Sequence, residues 1–144
     1  MMERMALNVQ AKLGQAMVTL SFSNYLDPFP DVSVQLANLG GTLPMVIERM
    51  DHTVITRTPE NELPSEKLGR VYLDCASLGP NAIKIAAKLY GSDRLLLGTD
   101  YPIFPLQQAL KAVKAANINE DTKTKLLGSN AQKLLGQYLP MVAA

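Results

Sequence analysis

The chain has 144 residues, 47% of them apolar, which is enough for one domain with a hydrophobic core and too few for two. We therefore predict a single domain over residues 1–144. Fourteen basic and thirteen acidic residues give a formal charge of +1, so charge indicates neither a nucleic-acid partner nor an anionic membrane surface.

The sequence also lacks the usual marks of secretion and of membrane insertion. One cysteine, Cys75, excludes an intrachain disulfide, and no stretch approaches the roughly 20 uninterrupted apolar residues that span a bilayer. The N-terminus has mixed charge, and no basic segment is followed by an apolar one as in a signal peptide. We expect no membrane partner and a soluble, cytoplasmic protein.

The first predicted element is an amphipathic helix from Met2 to about Ser23. No proline interrupts this segment, and Pro28 and Pro30 end it because each disfavours helical geometry in the residue before it. Apolar side chains recur along the segment with helical spacing. They are Met5, Val9, Leu13, Ala16, Met17 and Leu20.

Three short strands follow, each bounded by turn residues. Apolar and polar side chains alternate from Val32 to Ala37, and a second strand is predicted from Val71 to Cys75. Three consecutive leucines make Leu95 to Gly98 typical of a strand buried on both faces, as in a parallel sheet. The pattern therefore predicts an α/β domain.

Each strand leads to a polar side chain near its C-terminal end. These side chains are Asn38, Asp74 and Asp100. In parallel α/β domains, ligands and catalytic groups collect at that end of the sheet. Asp is also common in turns and at helix N-caps, so Asp100 either binds a ligand or bonds the turn before a helix near Pro105. The residue pattern alone leaves both alternatives open.

Helices are predicted between the strands and after the last one. A short helix runs from Leu43 to about Asp51, and His52 to Lys67 is predicted as a surface loop with one helical turn near Ser65. Gly91 ends a helix from Pro80 to Tyr90. Three further helices follow, separated by Asn117 and by Gly128-Ser129-Asn130. Their predicted ranges are Leu106 to Ala116, Asn119 to Leu127 and Ala131 to Leu139.

Several segments, in one order and spacing, resemble the C-terminal half of the amidohydrolase-related metal-dependent hydrolases. The segment from Leu36 to Pro44 resembles a strand end in which a histidine precedes Leu-Gly-Gly. Val71 to Asp74 resembles the next strand, Gly98 to Pro102 the last strand, and Leu127 to Ala131 the start of the closing helix. This family of barrel enzymes includes the aminocarboxymuconate semialdehyde decarboxylase and the resorcylate-type decarboxylases.

The resemblance implies a fold, a reaction and two site residues. The fold would be a partial TIM barrel, or half-barrel, with about three parallel strands and flanking helices. The reaction would be metal-assisted hydrolysis or non-oxidative decarboxylation of a small carboxylic acid, with zinc or a similar divalent metal. Asp100 corresponds to a metal ligand of the family, and Asn38 stands where the family has a catalytic histidine.

Two departures from the family predict that the chain is inactive alone. The family's His-x-His metal motif is absent, and asparagine at position 38 cannot shuttle a proton near neutral pH. Catalytic zinc normally has three protein ligands, whereas the other candidates have ordinary structural roles. We expect His52 to be solvated, Cys75 to pack as a small apolar residue and Asp74 to orient the following turn. We therefore expect no stoichiometric metal in this chain, and Asp100 as a vestigial ligand.

A half-barrel also predicts a partner. A complete barrel of this type has eight strands in roughly 250 residues, so three strands leave open edges and an uncovered apolar face. A second copy, a missing N-terminal half or the long first helix are the candidates to cover that face. We predict a homodimer whose interface includes the strand residues from Val32 to Leu36 or one face of the first helix. That face comprises Met5, Val9, Leu13 and Met17. The alternative to a degenerate enzyme is a non-catalytic assembly module that keeps the fold for dimerisation.

Overall fold

The computed structural model of the chain describes residues 2–136. Helices and short strands alternate and then give way to helices, as predicted. The strands are β1 (Val34–Leu36), β2 (Val71–Asp74) and β3 (Leu95–Leu96). The helices are α1 (Met2–Phe22), α2 (Leu43–Arg57), α3 (Pro80–Tyr90), α4 (Leu106–Ala115), α5 (Glu120–Thr124) and α6 (Asn130–Gly136). Short 3-10 segments cover Asn38–Gly40, Pro64–Arg70 and Ser92–Arg94, and a π-helical turn covers Lys125–Ser129.

The three strands form one parallel sheet in the order β1-β2-β3. Val34 lies opposite Val71 and Leu36 lies opposite Leu73 across the first pair. All three strands are shorter than predicted, because β1 covers only Val34–Leu36, β2 ends at Asp74 and β3 ends at Leu96. The predicted α/β class, with about three parallel strands and flanking helices, is confirmed.

The chain divides into two compact units, one ending at Leu73 and the other beginning at Asp74. In the first unit, α1 packs against α2 and against the 3-10 segments Asn38–Gly40 and Pro64–Arg70. The core of this unit is apolar, and its most buried side chains are Met17, Leu39, Leu43, Ile47, Leu68, Val71 and Leu73. This division does not test whether residues 1–144 form a single domain, so the single domain stays a prediction.

Met17 corrects one part of the predicted dimer interface. Its side chain is 0% exposed and belongs to the core of the first unit, so it is not available to a second copy. Met5 and Val9, from the same predicted stripe, are 62% and 48% exposed. The apolar face of α1 is therefore only partly buried, because the chain itself covers only the C-terminal part of the helix.

The prediction of a loop after Asp51 was wrong, because α2 continues to Arg57. Two threonine side chains bond back onto this added part of the helix. Thr53 Oγ1 donates to the carbonyl of Arg49 at 3.0 Å, and Thr56 Oγ1 donates to the carbonyl of His52 at 2.7 Å. Polar residues interrupt the apolar spacing in the added part of α2, so the sequence pattern did not predict that part of the helix. The predicted helical turn near Ser65 is confirmed as a 3-10 segment.

In the second unit, α3 packs against α4, and β3 lies against the π-helical turn and α6. The predicted break at Gly128-Ser129-Asn130 was wrong, since the helix runs through this segment as a π-helical turn. Asn130 explains the continuity. Its buried amide Nδ2 donates to the carbonyl oxygens of Ser92 at 2.7 Å and Leu95 at 2.8 Å. Tertiary contacts at Asn130 thus outweigh the cost of about 1 kcal/mol for a glycine inside a helix.

The remaining helix predictions agree with the structure within a residue or two, apart from the boundary around Gly128. Pro80–Tyr90 is helical as predicted, with Gly91 after it at a φ of 77°. The predicted end of the last helix at Leu139 lies outside the described residues. Within residues 2–136, no helix combines the length and the apolar character needed to cross a membrane.

Candidate functional site at the strand ends

Backbone strain in the described residues is concentrated just after the strands. Among residues 2–136, the non-glycine residues with positive φ are Asn38 (54°) and Leu39 (52°) after β1, Ser77 (57°) after β2 and Asp100 (58°) after β3. Asn and Asp tolerate this conformation, whereas a leucine there is an outlier. Strained residues of this kind cluster at functional sites, because the surrounding structure must hold them in place. Each strand end is therefore a candidate site element.

Asp100 lies on a turn that is held by its own backbone. The amides of Ile103 and Phe104 donate to the carbonyl oxygen of Asp100 at 2.9 and 3.2 Å. The carboxylate is exposed and accepts no hydrogen bond from the described residues. The N-cap of α4 at Pro105 has no side-chain hydrogen bond, so Asp100 does not cap that helix. Asp100 therefore holds the turn through its backbone carbonyl, and its carboxylate remains available to bind a ligand.

Asp74 is buried at the end of β2 and shapes the segment that leads to Asp100. Its Oδ1 accepts the amide of Ala76 at 2.9 Å, in agreement with the predicted role in the turn. A Cβ at Gly98 would lie only 2.6 Å from the same oxygen. Position 98 therefore has no room for a side chain. Sequence analysis named Gly98 as the end of a predicted strand but did not predict its packing role, although a glycine next to a strand is a known sign of close backbone approach.

Cys75 links the same two segments from inside the core. Its amide donates to the carbonyl of Leu96 at 3.1 Å, and its thiol donates weakly to the carbonyl of Gly98 at 3.9 Å. Burial raises the pKa of the Cys75 thiol, so the thiolate that a metal needs is disfavoured. The predicted role as a small buried residue is confirmed.

The strand end after β1 is held by α1 instead. The amide of Thr42 donates to the carbonyl oxygen of Gln10 at 3.1 Å, and a Cβ at Gly41 would overlap that same oxygen. A Cβ at Gly14 would lie 2.6 Å from Thr42 Oγ1. The close contact between α1 and this turn therefore requires glycine on both sides, at Gly14 and at Gly41. Asn38, 7% exposed, therefore lies in a segment whose backbone is clamped by a helix.

The described residues do not fit a metal centre by themselves. Within residues 2–136, no three side chains of His, Cys, Asp and Glu come close enough to share an ion. His52 is exposed, as predicted for a solvated residue, but it lies on α2 rather than in a loop. A catalytic zinc normally has three protein ligands, so these residues do not form a catalytic zinc site by themselves.

Comparison with known proteins identifies the family. The family model Amidohydro_2, described as amidohydrolase, matches residues 3–137, and the chain therefore belongs to this amidohydrolase family. The predicted resemblance is confirmed.

Two curated relatives share a name. The chain is 32% identical over 133 residues to a 2-amino-3-carboxymuconate-6-semialdehyde decarboxylase of Dictyostelium discoideum, a match that covers 84% of this chain and 36% of the relative. It is 26% identical over 142 residues to the protein of the same name in Caenorhabditis elegans, covering 90% of this chain and 34% of that relative. The chain thus spans about a third of the length of these relatives.

Solved structures agree on the fold. A dihydroxybenzoic acid decarboxylase from Polaromonas sp. JS666, with bound manganese and 2-nitroresorcinol, matches at a TM-score of 0.74 and 22% identity. The match covers 88% of this chain and 40% of that one. A 5-carboxyvanillate decarboxylase from Sphingomonas paucimobilis matches at a TM-score of 0.66 and 24% identity, covering 83% and 38%. At these identities the likeness concerns the fold alone, and it confirms the predicted partial TIM barrel.

Proposed function

We propose that this chain is the C-terminal part of a barrel for the non-oxidative decarboxylation of a small carboxylic acid, and that Asp100 is its contribution to the active site. The observation that carries the proposal is the state of Asp100. Its backbone is held by two amide hydrogen bonds, while its exposed carboxylate accepts none from the described residues. The names of the curated relatives and of the similar structures support decarboxylation over hydrolysis.

The residues of this chain account for only part of such a reaction. Decarboxylation breaks a carbon–carbon bond, releases carbon dioxide and leaves a carbanion that must take up a proton. Asn38 can donate or accept a hydrogen bond, but it cannot deliver a proton near neutral pH. Asp100 is exposed and could serve as one ligand of an ion completed from elsewhere in the barrel. We therefore propose that the chain is inactive alone and binds no stoichiometric ion.

A chimera tests this proposal. In the chimera, this chain replaces the matching segment of the Dictyostelium decarboxylase, so that the remaining two-thirds of the barrel is supplied. We expect carbon dioxide release from the substrate named for that relative to be at least about 100-fold slower than for the relative itself, because a general acid or base typically contributes 10²–10⁴-fold. Asn38→His in the chimera should restore most of the rate, and adding Asp100→Asn should remove it again.

Two results would contradict the proposal. A folded Asn38→His chimera without decarboxylation would contradict the proposed reaction. A chimera that keeps asparagine at position 38 and reaches the full rate of the relative would contradict the proposal that proton transfer requires histidine there.

We also propose a homodimer of the isolated chain, which supports the alternative of a non-catalytic assembly module. The specific observation is the N-terminal half of α1, where Met5 and Val9 are 62% and 48% exposed. These two residues are one turn apart on the same face of the helix, and exposed apolar side chains that adjoin in this way are typical of an interaction surface. A second copy of α1 is the simplest cover, because two-fold dimers are the commonest assembly of identical chains.

The proposed location is the cytoplasm, without a nucleic-acid partner. The near-neutral charge supports the absence of a nucleic-acid partner, because it gives little attraction to an anionic polymer. The single cysteine is buried and free, so the fold does not require an oxidising compartment to form a disulfide. Fluorescence microscopy of the tagged chain in its own cell should give a diffuse cytoplasmic signal. Accumulation in an organelle or in the medium would contradict the location.

A further inference from the structure

A recess opens between the loop after β2 and the helix α4, within the second unit. Its volume is about 320 Å³, near the lower end of the range of about 300–1,000 Å³ for small-molecule pockets. Residues 77–80 line one side, and α4 lines the other side between positions 108 and 115. Neither Asn38 nor Asp100 lines the recess, so a ligand bound there goes beyond the proposed function.

Three polar side chains line the recess and are uncommitted in the described part of the chain. They are Ser77, Gln108 and Lys111. Within residues 2–136, none of these side chains makes a hydrogen bond or an ion pair. Lys111 is a cation, and the hydroxyl of Ser77 and the amide of Gln108 can each donate a hydrogen bond. No acidic side chain of the described residues lines the recess, so its polar groups match an anionic ligand.

The rest of the lining is apolar or lacks a side chain. Leu78 and Pro80 are half-buried, and Ala112 is 8% exposed. Apolar surface of this kind gains from contact with a hydrocarbon group, because the contact removes both surfaces from water. A simple inorganic anion has no such group. The lining therefore favours an anion that also has an apolar body.

Two loop positions are not explained by packing alone. Ser77 has a φ of 57°, which is strained for a residue other than glycine, and such strain is often kept where a site needs it. Gly79 has a φ of −90°, which any residue adopts, and nothing lies within 4 Å of its Cβ position. Since neither backbone nor neighbours require glycine at position 79, its main effect is to leave the recess open.

We propose that this recess binds a small monocarboxylic acid. The carboxylate is attracted to the ammonium of Lys111, and Ser77 and Gln108 are the further donors available to its oxygens. The hydrocarbon body contacts the apolar lining at Leu78 and Ala112. This binding does not depend on the proposed reaction, because the site uses neither of the residues assigned to that reaction.

NMR titration of the full chain with cyclohexanecarboxylate tests the site. We expect the backbone amide signals of Ser77, Leu78 and Lys111 to shift with one common dissociation constant. Cyclohexanecarboxamide has the same body without the charge, and it should bind at least about tenfold more weakly, since hydrogen bonds to charged groups are the stronger ones. Inorganic phosphate has the charge without the body, and it should also bind at least about tenfold more weakly.

Lys111→Gln and Gly79→Thr test the two halves of the proposal. Lys111→Gln should weaken cyclohexanecarboxylate binding about tenfold and leave the carboxamide unchanged. Lys114→Gln is the matched control, because Lys114 is exposed on the same helix and does not line the recess. Gly79→Thr places a side chain in the recess and should weaken both ligands. Its stability in urea should not fall, because position 79 is the N-cap of α3 and threonine is as favourable there as glycine.

Other outcomes overturn the inference. Absence of shifts in the loop and in α4, or shifts confined to other residues, would mean that the recess does not bind the acid. Equal weakening by Lys114→Gln would reduce the effect to general charge. Phosphate binding as tight as that of the carboxylate would exclude the apolar part of the ligand. Parent affinity in a folded Gly79→Thr variant would place the ligand outside the recess. All of these measurements are independent of decarboxylation, so an inactive chimera leaves the inference intact.

Discussion

The strand ends after β1 and after β3 have similar backbones and different chemistry. Asn38 and Asp100 both have a left-handed φ, of 54° and 58°. Asn38 is buried in a segment clamped by α1, whereas Asp100 is exposed on a turn closed by its own carbonyl oxygen. The first end therefore has a well-supported backbone and no ionisable group. The second end has an exposed carboxylate that accepts no hydrogen bond from the described residues.

This difference separates the scaffold of a site from its chemistry. The turn at Gly41 is explained by the close approach of α1, because the carbonyl oxygen of Gln10 leaves no room for a Cβ there. The Asp100 turn likewise depends on backbone bonds and on Gly98 rather than on the carboxylate. Substitutions at the glycines should therefore affect stability, whereas Asp100→Asn, which keeps a residue type that tolerates a positive φ, should affect binding and reaction.

The largest expected effect is that of Gly41→Ala, at the first strand end. The new Cβ would overlap the carbonyl oxygen of Gln10, and the φ of 64° adds strain for any residue with a side chain. We expect a loss of about 3 kcal/mol in the free energy of unfolding, measured by urea denaturation. Gly128→Ala is the matched control, because nothing lies within 4 Å of its Cβ position. A loss at Gly41 no larger than at Gly128 would contradict the clamp.

Gly98→Ala applies the same test to the third strand end. Its Cβ would lie 2.6 Å from Asp74 Oδ1 and 2.9 Å from Asp74 Cβ, so the carboxylate must shift. We expect a loss of about 2 kcal/mol, as for other overpacked sites. Combining Gly98→Ala with Asp74→Ala should cost less than the sum of the two single changes, because part of the clash is removed. Strict additivity in urea denaturation would show that the two residues do not compete for space.

The dimer prediction concerns the exposed half of α1. We expect Met5→Ser combined with Val9→Ser to weaken self-association about tenfold, which corresponds to about 1.4 kcal/mol. Sedimentation equilibrium should show a homodimer for the parent chain at micromolar concentration. Leu135→Ser, at a residue 52% exposed on α6, is the control that should leave the dissociation constant unchanged. A compact monomer for the parent chain would exclude the dimer.

Asn38→His in the isolated chain should change no reaction rate. A histidine can act as a base only on a substrate or water that is already positioned, and the described residues do not build a metal site to do this. We expect carbon dioxide release to stay at background for both parent and variant, with manganese or zinc present. Turnover in the variant and not in the parent would show that the chain is a complete catalyst lacking one group.

The smallest expected signal is the metal content of the isolated chain. We expect elemental analysis after dialysis to find well below one ion per chain, because only Asp100 is a candidate ligand by family resemblance. Asp100→Asn should leave the content unchanged. About one zinc per chain, lost in that variant, would contradict the expectation, since a zinc site normally has three protein ligands.

Local sequence signals determined much of this fold. Pro80 at the first turn and Gly91 after Tyr90 place both ends of α3, because each residue restricts or permits particular backbone angles wherever it occurs. The three consecutive leucines before Gly98 likewise marked β3, whereas the site role predicted for Asp100 stays a prediction. Those signals act within a few residues, so they can be recognised without knowledge of the fold.

Contacts between distant residues decided the rest. The helix runs through Gly128 because Asn130 bonds the carbonyls of Ser92 and Leu95, more than thirty positions earlier in the chain. Met17 became a core residue while Met5 stayed exposed, although one stripe of α1 contains both. The need for glycine at position 98 comes from the Asp74 carboxylate, which no local pattern brings near. Periodicity identifies an apolar face, but only tertiary packing determines which part of that face is covered.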